Sequence, residues 1–186
     1  VATNAGATRQ RGLELDTLFM ASRELTLNVS VTRLDAEYLE FSTECYFNDP
    51  NPQCGVDGSK GVSGETMTYS PDWKVALGGR YVSQIPSTQL NGFAQLNYRW
   101  QSETQYSANQ SPNTLQDSYG VADLSFGVEE ETGRYKVTFF VRNLLDKQYA
   151  TNLGGVMDST GLGESVTQFV PHSANRYFGG SVQFGF

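Results

Sequence analysis

The sequence predicts an all-β fold, an antiparallel up-and-down meander of about seven long strands. Three observations predict it: apolar and polar residues alternate with a period of two, the alternating runs are long, and short and long connections follow one another in turn. Strict alternation is typical of a strand whose two faces meet different environments. Most runs cover about 9–14 residues, whereas soluble strands usually end after about 5–6 and a tilted membrane-spanning strand needs about 9–11. Run length therefore favours transmembrane strands.

The seven runs share one pattern, in which apolar side chains occupy every second position and polar or small residues lie between them. In chain order the apolar faces carry Leu13, Leu15 and Phe19; Leu25, Leu27, Val29 and Val31; Trp73, Val75, Leu77 and Tyr81; Leu96, Tyr98 and Trp100; Ala122, Leu124, Phe126 and Val128; Tyr135, Val137, Phe139 and Val141; and Phe178, Val182, Phe184 and Phe186. The opposite faces carry Glu14, Asp16, Asn28, Lys74, Arg80, Asn97, Arg99, Asp123, Glu129, Lys136, Arg142 and Gln183. This division predicts one face toward hydrocarbon and the other toward an enclosed polar channel.

The connections between the runs sort by length. The short turns are Ser22–Glu24, Ile85–Gln89 and Glu131–Arg134, and the long polar segments are about Ser42–Ser70, Ser102–Ser118 and Leu144–Ser173. Outer-membrane barrels have tight periplasmic turns and long exterior loops, whereas a soluble β-sandwich has no reason to sort its loops. Trp73 and Tyr81 stand near opposite ends of one apolar face, as two interfacial aromatic belts require. Because bacterial barrels have even strand numbers, seven strands without an initiator Met or signal peptide predict the C-terminal stretch of a larger barrel.

Composition excludes several classes of protein. Hydrophobic residues make up 38% of the 186 residues and mean hydropathy is −0.41. No run approaches the roughly 18 apolar residues of a spanning helix. Charged residues are 18%, below the roughly 25% of ordinary soluble domains. The formal net charge of −7 argues against a nucleic-acid partner, which needs a basic face.

The two cysteines and the single histidine predict structure and no catalysis. Cys45 and Cys54 lie close together in a Pro/Gly-rich segment, which predicts a disulfide and an oxidising compartment. The rival interpretation is a metal site, which lacks a second cysteine pair and a nearby histidine. His172 would have to serve any Ser-His-Asp or Cys-His arrangement, but a lone histidine at a loop end is typical of a solvated or packing residue. We expect neither an enzyme nor a bound metal or cofactor.

Two groups of residues carry a resemblance to known proteins. Phe178, Val182, Phe184 and Phe186 resemble the C-terminal signal of outer-membrane barrels, which implies recognition by the barrel-assembly machinery through strand addition. Asn143-Leu144-Leu145-Asp146-Lys147-Gln148-Tyr149 resembles the N-L-x-D-K-x-Y segment of TonB-dependent receptors. Asn175-Arg176-Tyr177-Phe178-Gly179 is similar to that family's P-R-x-Y-G, with Asn175 in place of proline, and 69–74 is similar to its N-A-P-x-W. Independently of the family, Asx side chains such as Asn143 and Asp146 end strands in turns, which predicts a structural role.

The resemblance implies the last seven of 22 strands of an energy-coupled receptor in the bacterial outer membrane. Its cargo would be a scarce solute, most commonly an iron–siderophore complex; cobalamin or an oligosaccharide, or a passive porin, are alternatives. Implied partners are outer-membrane lipid, an N-terminal plug domain inside the barrel, the TonB protein and the assembly machinery. We expect ligand contacts in the long loops, at Tyr46, Phe47, Tyr106 and 156–169. A soluble β-sandwich and a barrel-embedded hydrolase are the other rivals.

Overall fold

The computed structural model of the chain describes residues 6–157 and 163–185. Its elements, in chain order, are β1 (Ala7–Met20), β2 (Leu25–Glu40), β3 (Ser42–Glu44), α1 (Cys54–Asp57), β4 (Ser59–Gly61), β5 (Trp73–Gln84), β6 (Leu90–Gln101), β7 (Thr104–Gln105), a 3₁₀ turn (Pro112–Thr114), β8 (Leu115–Gln116), β9 (Tyr119–Glu130), β10 (Tyr135–Arg142), β11 (Asn152–Met157), β12 (Glu164–Phe169), a 3₁₀ turn (His172–Ala174) and β13 (Tyr177–Phe184). Within these described residues, no helix is long and apolar enough to cross a membrane.

Seven strands form one antiparallel sheet in the order β1-β2-β5-β6-β9-β10-β13. Each long strand pairs with the next long strand along the chain, so the predicted meander of seven strands is confirmed. β1 and β13 form the two edges of the sheet. The first five of these strands have 12–16 residues, while β10 and β13 have eight.

All short connections lie at one end of the sheet, which we call the turn end, and all long ones lie at the other, the loop end. The short connections are 21–24, 85–89 and 131–134. Two of them use left-handed backbone, at Ser87 (φ 64°) and Gly133 (φ 77°). Glycine suits this conformation because it has no Cβ to clash with the following carbonyl.

The two faces of the sheet differ as the alternation predicts. One cross-strand row on the apolar face runs through Leu27, Gly79, Leu96, Leu124, Val141 and Phe178. Large side chains on this face stay exposed, for example Phe139 at 55% and Phe178 at 73%. Within the described residues no second protein layer covers them, so the face is suited to hydrocarbon. Phe186, the last residue of the predicted assembly signal, lies outside the described residues.

The long loops carry regular structure of their own, which the sequence interpretation did not anticipate. They span 41–72, 102–118 and 143–176, here called the first, second and third long loops. Each contains a two-stranded hairpin: β3–β4, β7–β8 and β11–β12 respectively. A small apolar cluster lies here, where Tyr106, Ala150 and Leu153 are buried and Val166 packs against them.

Candidate ligand-facing site: the polar wall and the long loops

The polar face of the sheet carries a charged cluster near the turn end. The Glu129 carboxylate accepts two hydrogen bonds of 2.8 Å from the Arg80 guanidinium and lies 2.9 Å from the Lys136 ammonium. Both cations also lie over the Phe93 ring, each 4.5 Å from the ring centroid. Phe93 is consequently buried although it faces the polar side. In this cluster two cations share one carboxylate and both are bonded to it, which favours a role as wall.

A second charged cluster lies nearer the loop end, around Asp123. One carboxylate oxygen of Asp123 is 3.5 Å from the guanidinium of Arg99 and 3.5 Å from that of Arg142. The other accepts a 2.9 Å hydrogen bond from the backbone N–H of Asn143. One carboxylate therefore serves two cations and one backbone donor, which leaves positive charge in excess at this level of the wall.

A cavity of about 480 Å³ opens on the polar face next to the Asp123 cluster. Lys74 and Arg99 line it from β5 and β6. The rings of Tyr119 and Tyr149 stack at 4.3 Å with an interplanar angle of 13°, and both line the cavity. The Tyr149 hydroxyl lies 2.8 Å from the Ser173 hydroxyl, which holds its ring in place. Cations and flat aromatic faces thus meet in one concave space.

The N-L-x-D-K-x-Y segment forms a tight loop at the end of β10. Asn143 adopts φ 49° and is fully buried. Its side chain accepts a 2.9 Å hydrogen bond from the Lys147 N–H and donates one of 3.0 Å to the Lys147 carbonyl. Asp146 (φ 52°) accepts a 3.1 Å hydrogen bond from the Arg176 N–H, just before β13 begins. These bonds give Asn143, Asp146 and Arg176 a structural role. Leu144 and Lys147 belong to the same loop.

The first long loop is closed by a disulfide between Cys45 and Cys54, whose Cα atoms are 5.8 Å apart. Because the sulfurs are bonded to each other, they are not free thiolates for a metal ion beside Asp49. Asp49 instead forms a buried ion pair with Lys60, whose ammonium also lies 4.5 Å from the Tyr46 ring centroid. Tyr46 and Phe47 are half-buried in this loop.

Tyr106 has a packing role in the structure. Its ring is buried against Ala150 and Leu153, and its hydroxyl donates a 3.2 Å hydrogen bond to the Ala150 carbonyl. Burial raises the pKa of the Tyr106 hydroxyl, and the neighbouring Tyr69 adds to the rise. Tyr69 meets it edge-on at 5.1 Å and is itself 56% exposed. A ligand contact at Tyr106 stays a prediction.

Side-chain hydrogen bonds join the three long loops. The Tyr69 hydroxyl of the first loop donates a 3.0 Å bond to Asn152 of the third. Glu164 of the third loop accepts bonds of 3.0 Å from Ser111 and 2.8 Å from Asn113 of the second. These bonds join the loops into one layer over the end of the sheet. Residues 158–162, inside the predicted contact segment 156–169, lie outside the described residues.

Sequence reasoning missed the aromatic residues on the polar face. Phe93 and Phe140 both break the polar alternation of their strands, and Phe140 packs edge-on against Tyr177 at 6.2 Å. Tyr119 and its partner Tyr149 lie 30 residues apart, and no local pattern pairs them. The break in alternation could have identified Phe93 and Phe140 in the sequence. In the structure, cationic side chains lie over both of these rings.

Comparison with protein families decides the class. The family model described as TonB dependent receptor-like, beta-barrel matches residues 1–144. The chain belongs to the TonB-dependent receptor family. Receptors of this family are outer-membrane transport proteins, not enzymes, and they generally combine a barrel with a plug domain and interact with TonB. The sequence-based recognition is therefore confirmed.

Solved structures agree on the fold of this TonB-dependent receptor chain. The ferric yersiniabactin uptake receptor FyuA from Yersinia pestis superposes with a TM-score of 0.72 at 18% identity, covering 98% of this chain and 24% of FyuA. BauA, the ferric preacinetobactin receptor from Acinetobacter baumannii, gives 0.59 at 18% identity, covering 94% of this chain and 22% of BauA. The siderophore receptor PiuA from the same organism gives 0.57 at 15% identity, covering 94% and 21%. The chain thus spans about a quarter of these receptors' length. No curated protein matches it.

Proposed function

We propose that the protein containing this chain is an energy-coupled outer-membrane receptor that imports an iron–siderophore complex. The observation that carries the proposal is the division of the sheet: a bare apolar face, a charged polar face and a bonded layer of long loops at one end, in a chain of the TonB-dependent receptor family. Such a wall separates lipid from a polar interior, which a transporter needs.

The cargo is supported by likeness in fold. The three solved structures are described as receptors for ferric yersiniabactin, for ferric preacinetobactin and for a siderophore. At 15–18% identity this likeness shows a shared fold, and the iron–siderophore cargo of this protein is our proposal. Tyr46, Phe47 and Tyr106 are the proposed ligand contacts in the loops, since aromatic side chains offer large contact surfaces.

The remaining parts of the proposal concern the whole receptor. We propose that residues 1–186 form the C-terminal segment of a 22-stranded barrel and that part of its polar wall packs against the receptor's own plug domain. TonB would act through a region outside this chain. The barrel-assembly machinery would recognise the final strand through Phe178, Val182, Phe184 and Phe186, because strand addition to an exposed edge is a known mode of recognition.

The test compares iron uptake by the native host and by a strain that lacks the gene. With radioactive iron supplied as a panel of ferric siderophores, we expect the deletion strain to lose uptake of one complex. An uncoupler that collapses the proton-motive force should abolish the same uptake in the native host. Uptake that survives the uncoupler contradicts energy coupling and favours a passive porin. Loss of cobalamin or oligosaccharide uptake instead would correct the cargo.

A further inference from the structure

The cavity on the polar face combines cations from the wall with aromatic rings that a loop holds in place. Lys74 of β5 and Arg99 of β6 line it from adjacent strands. Tyr119 opens β9, and Tyr149 comes from the third long loop. Its volume of about 480 Å³ falls within the roughly 300–1,000 Å³ of small-molecule sites. The volume of the cavity and its position below the long loops suit a ligand that enters the barrel between these loops.

Positive charge exceeds negative charge at the cavity. Lys74 makes no ion pair with any described residue. Arg99 is 64% exposed and shares the single carboxylate of Asp123 with Arg142. Lys74 and Arg99 are among the described residues that line the cavity, and no carboxylate is among them.

Among the other acidic residues, Asp72 lies two residues before Lys74 with its side chain exposed, and Glu14 lies on β1. Glu14 pairs with Thr32, which pairs with Lys74, so Glu14 is two strands away from Lys74 in the same cross-strand row. At about 4.8 Å between strands, the two backbones are about 10 Å apart. Charges separated by more than about 8 Å are largely screened at physiological salt. A ligand in the cavity thus meets Lys74 and Arg99 directly, while these acidic side chains lie outside the lining.

We propose that this cavity binds an anionic ligand that carries a planar aromatic group. The inference rests on the proposed function and narrows its cargo to one charge class. The Lys74 ammonium and the Arg99 guanidinium bind negatively charged oxygens, and the guanidinium can hold two of them at once. The stacked rings of Tyr119 and Tyr149 offer an aromatic face and edge for the planar group.

Two iron probes of opposite character test the proposal on the native full-length receptor in detergent. The iron(III) complex of 2,3-dihydroxybenzoate is anionic and aromatic, whereas iron(III) tris(acetohydroxamate) is neutral and has no aromatic ring. Quenching of tryptophan fluorescence gives both affinities. We expect Lys74→Gln and Arg99→Gln each to weaken the anionic probe by about tenfold, the loss of a charge-assisted hydrogen bond, and to leave the neutral probe unchanged. Tyr119→Leu should weaken the anionic probe as well.

Arg23→Gln is the matched control, because it removes the same charge from a short turn far from the cavity and should leave both affinities unchanged. Heat-modifiable gel mobility verifies that each variant is folded. Variants that bind the anionic probe like the unmodified receptor overturn the cavity assignment while the proposed function stands. Lower thermal stability of Lys74→Gln with unchanged affinity also overturns it. A receptor that binds neither probe and whose deletion affects no iron uptake overturns both.

Discussion

The seven membrane strands and the three long loops differ in how they carry charge. The long loops contain ten acidic and three basic residues, which equals the whole formal net charge of −7. The strands with their short turns contain ten of each sign. The difference follows from the surroundings: many wall charges have a partner of opposite sign at close range, whereas most loop charges are solvated and screened. The strands thus carry no net charge, and the long loops carry the whole net negative charge of the chain.

The two regions also differ in what holds them together. The strands are joined by regular backbone ladders, and the apolar face is stabilised by lipid. The loops depend on single bonds, such as the disulfide, the Asn143 side chain and the Asp49–Lys60 pair. We therefore expect strand substitutions to change global stability and most loop substitutions to act locally.

The largest effect is expected from a charge on the apolar face at mid-strand. Leu96 lies in the middle of β6 between Gly79 and Leu124, and Leu96→Arg should cost about 2–4 kcal/mol of the free energy of unfolding in lipid vesicles. The next residue gives a matched control: Asn97 faces the polar side opposite Asp123, so Asn97→Arg should change stability by less than about 0.5 kcal/mol. Denaturant titration measures both. Equal costs would show that the two faces are not different environments.

Removal of the disulfide should loosen the first long loop and leave the strands alone. A loop closed over nine positions gains about 2–3 kcal/mol from its cross-link on the chain-entropy account. In the Cys45→Ser/Cys54→Ser variant we expect amide hydrogen exchange to accelerate in the first long loop by the corresponding factor, about 30- to 150-fold. Exchange in β5 and β6 should stay unchanged. Faster exchange throughout the sheet would contradict the separation of the two regions.

Asn143 links the regions, so its replacement should affect both. Asn143→Ala removes two hydrogen bonds to Lys147 and leaves alanine at φ 49°, for an expected cost of about 2 kcal/mol in free energy of unfolding. Asn143→Gly restores the backbone conformation and should recover about a third of the loss. Asn48, also left-handed at φ 58° but exposed in the first long loop, is the control: Asn48→Ala should cost less than about 1 kcal/mol. Identical costs for Asn143→Ala and Asn48→Ala would contradict the linking role.

The strands could be predicted from sequence because a period of two is a local signal. The alternation from Leu25 to Val31 predicts which side chains share a face of the strand without information about its partner strands. The lengths of the connections predict which end of the sheet carries the turns and which carries the loops. The loops could not be predicted in the same way. Tyr69 bonds Asn152 across 83 residues and Ser111 bonds Glu164 across 53, and such pairings leave no periodic trace. The cavity escaped prediction for the same reason, since Tyr119 and Tyr149 meet only after the third long loop folds back.

The smallest effect is a pH dependence confined to the first long loop. Burial by itself would raise the pKa of the Asp49 carboxyl, but hydrogen bonds from Lys60 and from the Asn51 N–H outweigh it and lower the pKa below its ordinary value. The folded pKa therefore lies below the unfolded value of about 3.9, so the carboxylate stabilises the loop at every pH above about 3.9. That stabilisation is lost as the pH falls through the folded pKa. The rate at which a phosphine reduces the Cys45–Cys54 disulfide reports loop opening.

Relative to the reduction rate of an unstructured peptide disulfide, we expect the rate to be constant from about pH 8 to pH 5 and to rise below about pH 4. Asp49→Asn should be reduced faster at neutral pH and lose the rise, because its amide carries no charge to titrate. Asp57→Asn, in the same loop but exposed in α1, should keep the profile of the unmodified receptor. If Asp57→Asn removes the rise at low pH and Asp49→Asn keeps it, the titrating carboxylate is Asp57 and the assignment to Asp49 is wrong. If the titration belongs to Asp49, its buried ion pair with Lys60 stabilises the first long loop together with the Cys45–Cys54 disulfide.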